Sequence, residues 1–161
     1  MKSIFAAVLL FSAILVTGLP AHAATTPIQL ALFNPVQIFP ENQSVAGLRI
    51  SLLYGSNANM TGLDWGLVTK TSGNLEGIQA NLVGMVDGNA TGIQYNFVTL
   101  TKGSFTGLQW SFYNSTGGLS TGLQLGLVNT TGSMKGIQIG LLNFIHKGGF
   151  MPFFPIVNGS F

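Results

Sequence analysis

The sequence predicts an all-β protein built from tandem repeats of 15 residues. Glycines recur at a spacing of 15 residues five times and of 14 once, at Gly47, Gly62, Gly77, Gly92, Gly107, Gly122 and Gly136. Apolar and polar residues alternate after each glycine, as in GLDWGLV and GIQYNFV, which is the period of a half-buried strand. Helical periodicity is missing from the chain after residue 23. A fixed period of this kind indicates stacked repeat units.

The first segment, residues 1–23, is predicted to be a cleavable export signal. Lys2 precedes an apolar run over residues 4–16, and Ala21 and Ala23 supply the small residues of a cleavage site. Gly18 and Pro20 end the run before the roughly 20 apolar residues that a membrane anchor needs. Loss of Lys2 leaves five of the six basic residues against four acidic ones. This near balance argues against nucleic acid as a partner.

The two flanks of the repeat array are predicted to be caps. The N-terminal segment, 24–46, contains Pro35 and Pro40, and the C-terminal segment, 148–161, contains Pro152 and Pro155. Proline cannot donate a ladder hydrogen bond, so both segments suit the open ends of a stack. Residues 47–147 between them form seven tandem β repeats.

Each repeat is expected to hold one strand of about six residues and a turn such as TKTSGN. Leu or Ile follows each glycine, and Leu or Phe stands four positions later. Arg49 and Asp64 take the second position after the first two glycines. Glutamine takes it in the other five repeats, at Gln79, Gln94, Gln109, Gln124 and Gln138. The residue missing from the 14-residue repeat falls between Val128 and Lys135, in a predicted turn.

Two architectures fit this pattern, and we prefer a β-solenoid in which each repeat is one coil. Identical positions then stack in columns, and the glutamine amides can bond along the stack. The alternative is an antiparallel outer-membrane-type barrel of about eight strands. Its three outward apolar residues per strand would span roughly 14 Å, less than the roughly 25 Å apolar band of such barrels. The pattern leaves open whether the column that contains Leu82 is core or exposed.

The composition offers little reactive chemistry. The chain is 47% hydrophobic and 6% charged, against about 25% charged in an average soluble protein, and it has no cysteine. His146 stands alone after the export signal, and the four acids, Glu41, Asp64, Glu76 and Asp87, do not follow a metal-ligand spacing. We therefore predict no catalytic, cofactor-binding or metal-binding residues, and no enzyme.

The variable position between the two apolar columns is the candidate contact surface. It holds Trp65, Tyr95 and Trp110, whose rings suit lipid, a partner surface or sugars. Thr91 and Thr106 belong to a near-column of threonines before the glycines, which is the pattern of an ice-binding surface. A glycan- or ice-binding repeat module is therefore a weaker alternative function.

The repeats GLDWGLV, GLQLGLVN and GIQIGLLNF, with the flanks NPVQIFPENQSVAGLRISLLYG and FFPIVNGSF, carry a family resemblance. They resemble exported bacterial surface-repeat proteins built from GLQxGLVN-type units, over nearly the whole chain after the signal. The resemblance implies an exported bacterial envelope or surface protein. With the lack of reactive groups, we predict a non-enzymatic structural or interaction protein of the bacterial outer membrane, cell surface or periplasm. Its partner would be an unidentified protein, lipid or envelope component, or a second copy. The alternative is an integral outer-membrane barrel with an anchoring or transport role.

Overall fold

The computed structural model describes residues 25–161, so the predicted export signal lies outside the described residues. Within this range no helix is long and apolar enough to cross a membrane. The regular elements are β1 (Thr25–Phe33), β2 (Val36–Gln37), β3 (Ser44–Asn57), β4 (Met60–Thr71), β5 (Leu75–Val86), β6 (Ala90–Thr101), β7 (Phe105–Leu125), β8 (Val128–Lys147) and β9 (Phe153–Ser160).

The repeats stack in parallel and in register. From β4 to β6 each paired residue lies beside the one 15 positions later, so that Gly62 lies beside Gly77 and Gln79 beside Gln94. Between β3 and β4 the offset is 15 up to Ser51 and 14 from Tyr54 onward. The same parallel pairing continues from β6 through β7 to β8. The chain is therefore a β-solenoid of about eight turns, as the repeat spacing predicts. An antiparallel barrel is ruled out, because its neighbouring strands would run in opposite directions.

Each coil has two arms that both pair with the next coil. In β5 the first arm is Leu75–Asn81 and the second arm is Val83–Val86, and Leu82 between them is not paired in the ladder. The prediction that TKTSGN is a turn is wrong for its first half, since 69–71 pair with 84–86. Threonine is a strand-forming residue, and here its small hydroxyl side chain points into the coil. The turn itself is only 72–74.

The shortened repeat loses its residue where the ladder is irregular. Gly117 and Gly118 of one coil lie opposite the single Gly132 of the next, between the pairs Thr116 with Thr131 and Leu119 with Ser133. This position lies within the predicted interval, 128–135. Pairing resumes on both sides, so the deletion leaves the columns intact.

The flanking segments extend the stack at both ends. β1 pairs in parallel with β3 and places Gln29 beside Arg49, with Pro27 below the first repeat glycine. β9 instead runs antiparallel to β8, with Val157 beside Ile139. This reversal of strand direction ends the parallel repeat.

The glycine column is fixed by the close approach of successive coils. All seven repeat glycines have positive φ, and Gly107 has a φ of 132°. A Cβ atom at Gly107 would collide with the carbonyl oxygen of Gly92 in the coil before it. A side chain there would both strain the backbone and push the two coils apart.

The interior of the solenoid is mostly polar. Its apolar cluster is small and consists of Val86, at the end of β5, and of residues at or next to the starts of successive coils, Val45, Met60, Leu75, Ala90 and Phe105. Ala31, Met134 and Ile145 are also buried. The rest is filled by inward amide and hydroxyl side chains. Leu82, by contrast, is 50% exposed, so its column lies on the outside.

Candidate interaction surface

The orientation of the outer surface follows from the glutamine column. Strand residues alternate between the two sides of the sheet, so an inward glutamine requires its neighbours to point outward. Gln94 is fully buried, whereas the adjacent Tyr95 is 56% exposed. The apolar columns of the sequence therefore face solvent, and the amides form the core.

The buried glutamines form one directional hydrogen-bond ladder. The Nε2 of Gln94 donates to Oε1 of Gln79 at 2.9 Å, and that of Gln109 donates to Gln94 at 2.8 Å. Gln124 and Gln138 continue the series at 2.6 and 2.7 Å. Because each glutamine donates to the one before it, burial of these amides carries little desolvation cost. Within the described part of the chain, the Oε1 of Gln138 at the end of the ladder has no hydrogen-bond partner.

An ion pair replaces two rungs at the N-terminal end of this ladder. Arg49 donates to both carboxylate oxygens of Asp64 at 2.7 Å, and both side chains are fully buried. Gln79 and Thr69 also donate to Asp64, at 3.0 and 2.8 Å. The two departures from the glutamine pattern are thus one matched charged pair in the same column.

The Asp64 carboxyl stays ionised inside this core. Burial raises its pKa, but the positive charge of Arg49 and the hydrogen bonds from Arg49, Gln79 and Thr69 lower it by more. The net pKa lies below the usual value of an aspartate. The donor ends of the glutamine ladder also point toward this carboxylate, which favours its charged form.

A second amide ladder runs in the opposite direction along the other arm. Asn114 donates through Nδ2 to Oδ1 of Asn129 at 2.8 Å, and Asn129 donates to Asn143 at 2.8 Å. Asn143 then donates to the carbonyl oxygen of Phe154 in β9, at 3.2 Å. The last parallel coils and the antiparallel strand are thereby joined through the interior.

The outward residues of the first arms, together with the residue that follows each arm, form one continuous surface, which we call the apolar face. We call each strand layer of this face a rung. The middle column of the face consists of nine residues, one per rung: Leu30, Ile50, Trp65, Ala80, Tyr95, Trp110, Leu125, Ile139 and Val157. In the parallel rungs, Leu, Ile or Phe also stands two positions before and two positions after the middle residue. Most of these side chains are about half exposed.

Aromatic rings order the centre of the apolar face. The rings of Tyr95 and Trp110 meet edge to face with centroids 5.3 Å apart, and Phe97 and Phe112 stack with centroids 5.0 Å apart. Ala80 interrupts the aromatic series and leaves a notch of about 380 Å³ between Trp65 and Tyr95. We refer to this depression as the Ala80 notch.

Charges lie beside the apolar face rather than on it. Glu76 and Lys135 stand in the exposed threonine column along its edge. On the other side of the coil, Asp87 contacts Lys102 at 2.7 Å and Lys70 at 3.3 Å. The hydrogen bond from Lys102, aided by Lys70, holds the pKa of Asp87 below its usual value. Glu76 also interrupts the threonine column between Thr61 and Thr91.

The structure brings the three sequence-predicted contact residues into one column. Trp65 and Trp110 are each 55% exposed, on either side of Ala80 and Tyr95. Sequence reasoning missed the Ala80 notch and the extent of the face. The glutamine column could have revealed the extent of the face, because polar residues that recur at one strand position can satisfy each other only inside a stack.

Other candidate chemistry remains dispersed in the described part of the chain. His146 is exposed and lies 3.2 Å from the hydroxyl of Thr130. Among residues 25–161 no group of three His, Cys, Asp or Glu side chains could hold a metal ion. Comparisons of the chain with protein-family models, curated proteins and solved structures find no match. The resemblance to surface-repeat proteins therefore stays a prediction.

Proposed function

We propose that the protein is a non-enzymatic structural or interaction protein of the bacterial cell envelope, and that it acts through the apolar face. The extent of that face is the observation that carries the proposal. Nine rungs and three columns cover roughly 40 Å by 14 Å, or roughly 560 Å², at ordinary strand spacings. The largest apolar patch of a typical monomer is about 300–600 Å² and is often functional.

The polar groups of the chain support a structural role. Asp64 is engaged by Arg49, and the glutamines are engaged by one another. Asp87 is held between Lys70 and Lys102. Each of these groups has a partner in the fold, which leaves the apolar face as the surface best suited to a function.

Export is tested by expression of the full chain in a bacterium with an outer membrane. We expect processing after Ala23, shown by mass spectrometry, and recovery from the periplasm, outer membrane or cell surface. An unprocessed chain that stays in the cytoplasm would contradict the envelope role.

The role of the apolar face is tested in the same cells with paired variants. Tyr95→Ser with Trp110→Ser removes two rings from the face, whereas Val98→Ser with Tyr113→Ser alters outward residues of the second arm as a control. Native size separation of cell extracts should show that the first pair loses association while the control keeps it. Equal association in both would contradict a function carried by the face.

A further inference from the structure

The apolar face needs a partner surface if it is to be removed from water. We propose that a second copy of the chain does so, in a two-fold dimer whose apolar faces pack together with the Tyr95 strands on the axis. The inference rests on the proposed function, because it names the partner of the same surface.

The area of the face is sufficient for a specific interface between two copies. A specific interface buries about 1,000 Å² in total or more, and two faces of roughly 560 Å² each offer slightly more than this at ordinary strand spacings. Two sheets that pack through such faces lie about 10 Å apart and exclude water between them. Exposed Leu, Phe, Tyr and Trp side chains would gain most from this burial.

In the middle column, large and small side chains lie at equal distances on either side of Tyr95, so two copies related by a two-fold axis at Tyr95 can fit together. Tyr95 is the fifth of the nine residues. A two-fold axis that runs parallel to the strands at this rung therefore places the whole face of one copy opposite the whole face of the other. Trp110 of one copy then lies opposite the Ala80 notch of the other, and Trp65 lies opposite Leu125. The largest side chain next to the centre thus meets the smallest one, twice per dimer.

The other simple face-to-face arrangement lacks this fit. An axis parallel to the solenoid would place every rung opposite the same rung of the second copy. Trp110 would then meet Trp110, and Ala80 would meet Ala80 across an unfilled space. The axis along the strands places only the Tyr95 rung opposite itself and avoids both this collision and this void, so the geometry favours it.

The charges along the edge of the face are compatible with this arrangement of the two copies. Glu76 comes opposite Thr106 of the second copy, and Lys135 comes opposite Ala46. Neither charge meets a like charge, which would repel, and both remain at the rim where water reaches them. The dimer therefore buries the apolar columns without burying an unpaired charge.

The test is a size swap followed by sedimentation velocity of the exported, processed chain without detergent. Ala80→Trp fills the notch and Trp110→Ala removes the ring that enters it, so each single variant should weaken the dimer by about tenfold or more. The double variant restores one large and one small residue at each contact, so it should dimerise nearly as well as the original chain. Leu100→Ala, on the second arm, is the control and should leave association unchanged.

Fluorescence supplies a second readout, because both tryptophans of the chain lie on the face. Emission of the original chain should shift to shorter wavelength as the concentration rises and the dimer forms. A chain that stays monomeric at micromolar concentrations, or a double variant as weak as the single ones, would overturn the proposal. Binding of the monomer to phospholipid vesicles or to a polysaccharide through the face would also overturn it. If association in cells still depends on the apolar face in those cases, the dimer is wrong but the proposed function is retained.

Discussion

Neighbouring residues of the same strand experience opposite environments in this solenoid. Gln109 is fully buried and bonded to Gln94 and Gln124, whereas the adjacent Trp110 is half exposed. Most globular proteins show the reverse distribution of amides and aromatic rings. An in-register stack therefore favours a buried amide wherever the next coil carries its hydrogen-bond partner.

The outer apolar columns have a different energetic role. They remain about half exposed, so they gain little burial when the single chain folds. We infer that inward polar contacts and the backbone ladder hold the coil, while the outward columns are available for association. Substitutions in the two sets of residues should therefore differ in their effect on unfolding.

The largest effect is expected when the buried ion pair is broken. Asp64→Leu leaves the Arg49 guanidinium buried without its carboxylate and should lower the free energy of unfolding by about 3–5 kcal/mol. Urea denaturation followed by circular dichroism measures the change. The matched control is Arg49→Gln with Asp64→Gln, which continues the glutamine ladder and should lose far less. A single variant as stable as the double one would contradict the account.

A backbone effect of somewhat smaller size is expected at the glycine column. Gly107→Ala adds a Cβ that meets the Gly92 carbonyl oxygen at a strained φ, and it should cost about 3 kcal/mol. Gly148→Ala is the matched control, because Gly148 also has positive φ but faces open space. Thermal unfolding of the two variants should therefore differ clearly, and equal melting temperatures would show that coil contact does not matter there.

Interruption of the ladder at its middle should have an intermediate effect. Gln109→Leu leaves Gln94 Oε1 and Gln124 Nε2 without their rung partners and should cost about 1–3 kcal/mol. Chemical denaturation gives the value. An increase in stability would mean that the ladder contributes nothing beyond the volume of its side chains.

Acid should remove the contribution of Asp64. Its pKa is lowered in the folded chain, so its stabilising effect is present above the unfolded value, about 3.9, and is lost as the pH falls toward the folded value. Stability should therefore decline below about pH 4 by at most about 1.4 kcal/mol for each pH unit from this group. The Arg49→Gln, Asp64→Gln double variant should decline less. Asp87 is present in both chains and cancels from the comparison.

The smallest effect on folding is expected on the apolar face. Leu82→Glu places a charge on a half-exposed position and should change the unfolding free energy of the monomer by about 0.5 kcal/mol or less. The same variant should weaken association through the face. Loss of several kcal/mol in dilute solution would assign this column to the core instead.

The sequence predicted the repeat, its register and the solenoid because these depend on local periodicity. Gly62 and Gly77 mark the same corner in successive coils, and the deletion at Gly132 falls where the spacing places it. The side of the sheet that faces inward was not predictable from alternation alone, since period 2 is the same for both faces. That choice depends on whether Gln79 finds a partner in the next coil.

The candidate surface could be predicted only in part, because alternation alone does not show which side of the sheet faces outward. Trp65, Tyr95 and Trp110 stood out as aromatic residues in a variable column. Ala80 has no chemistry of its own and becomes notable only when the rings beside it define a notch. Thr69 and Thr71 were assigned to a turn because their short polar composition resembles one, although both line the polar interior.

The most direct test of the central claim compares two adjacent positions by thiol labelling. The chain has no cysteine, so Ser111→Cys and Phe112→Cys each introduce a single reactive group. Ser111 points inward and is buried, whereas Phe112 points outward on the apolar face. In dilute native solution the account predicts rapid modification at 112 and strong protection at 111. Protection at 112 with rapid modification at 111 would contradict it.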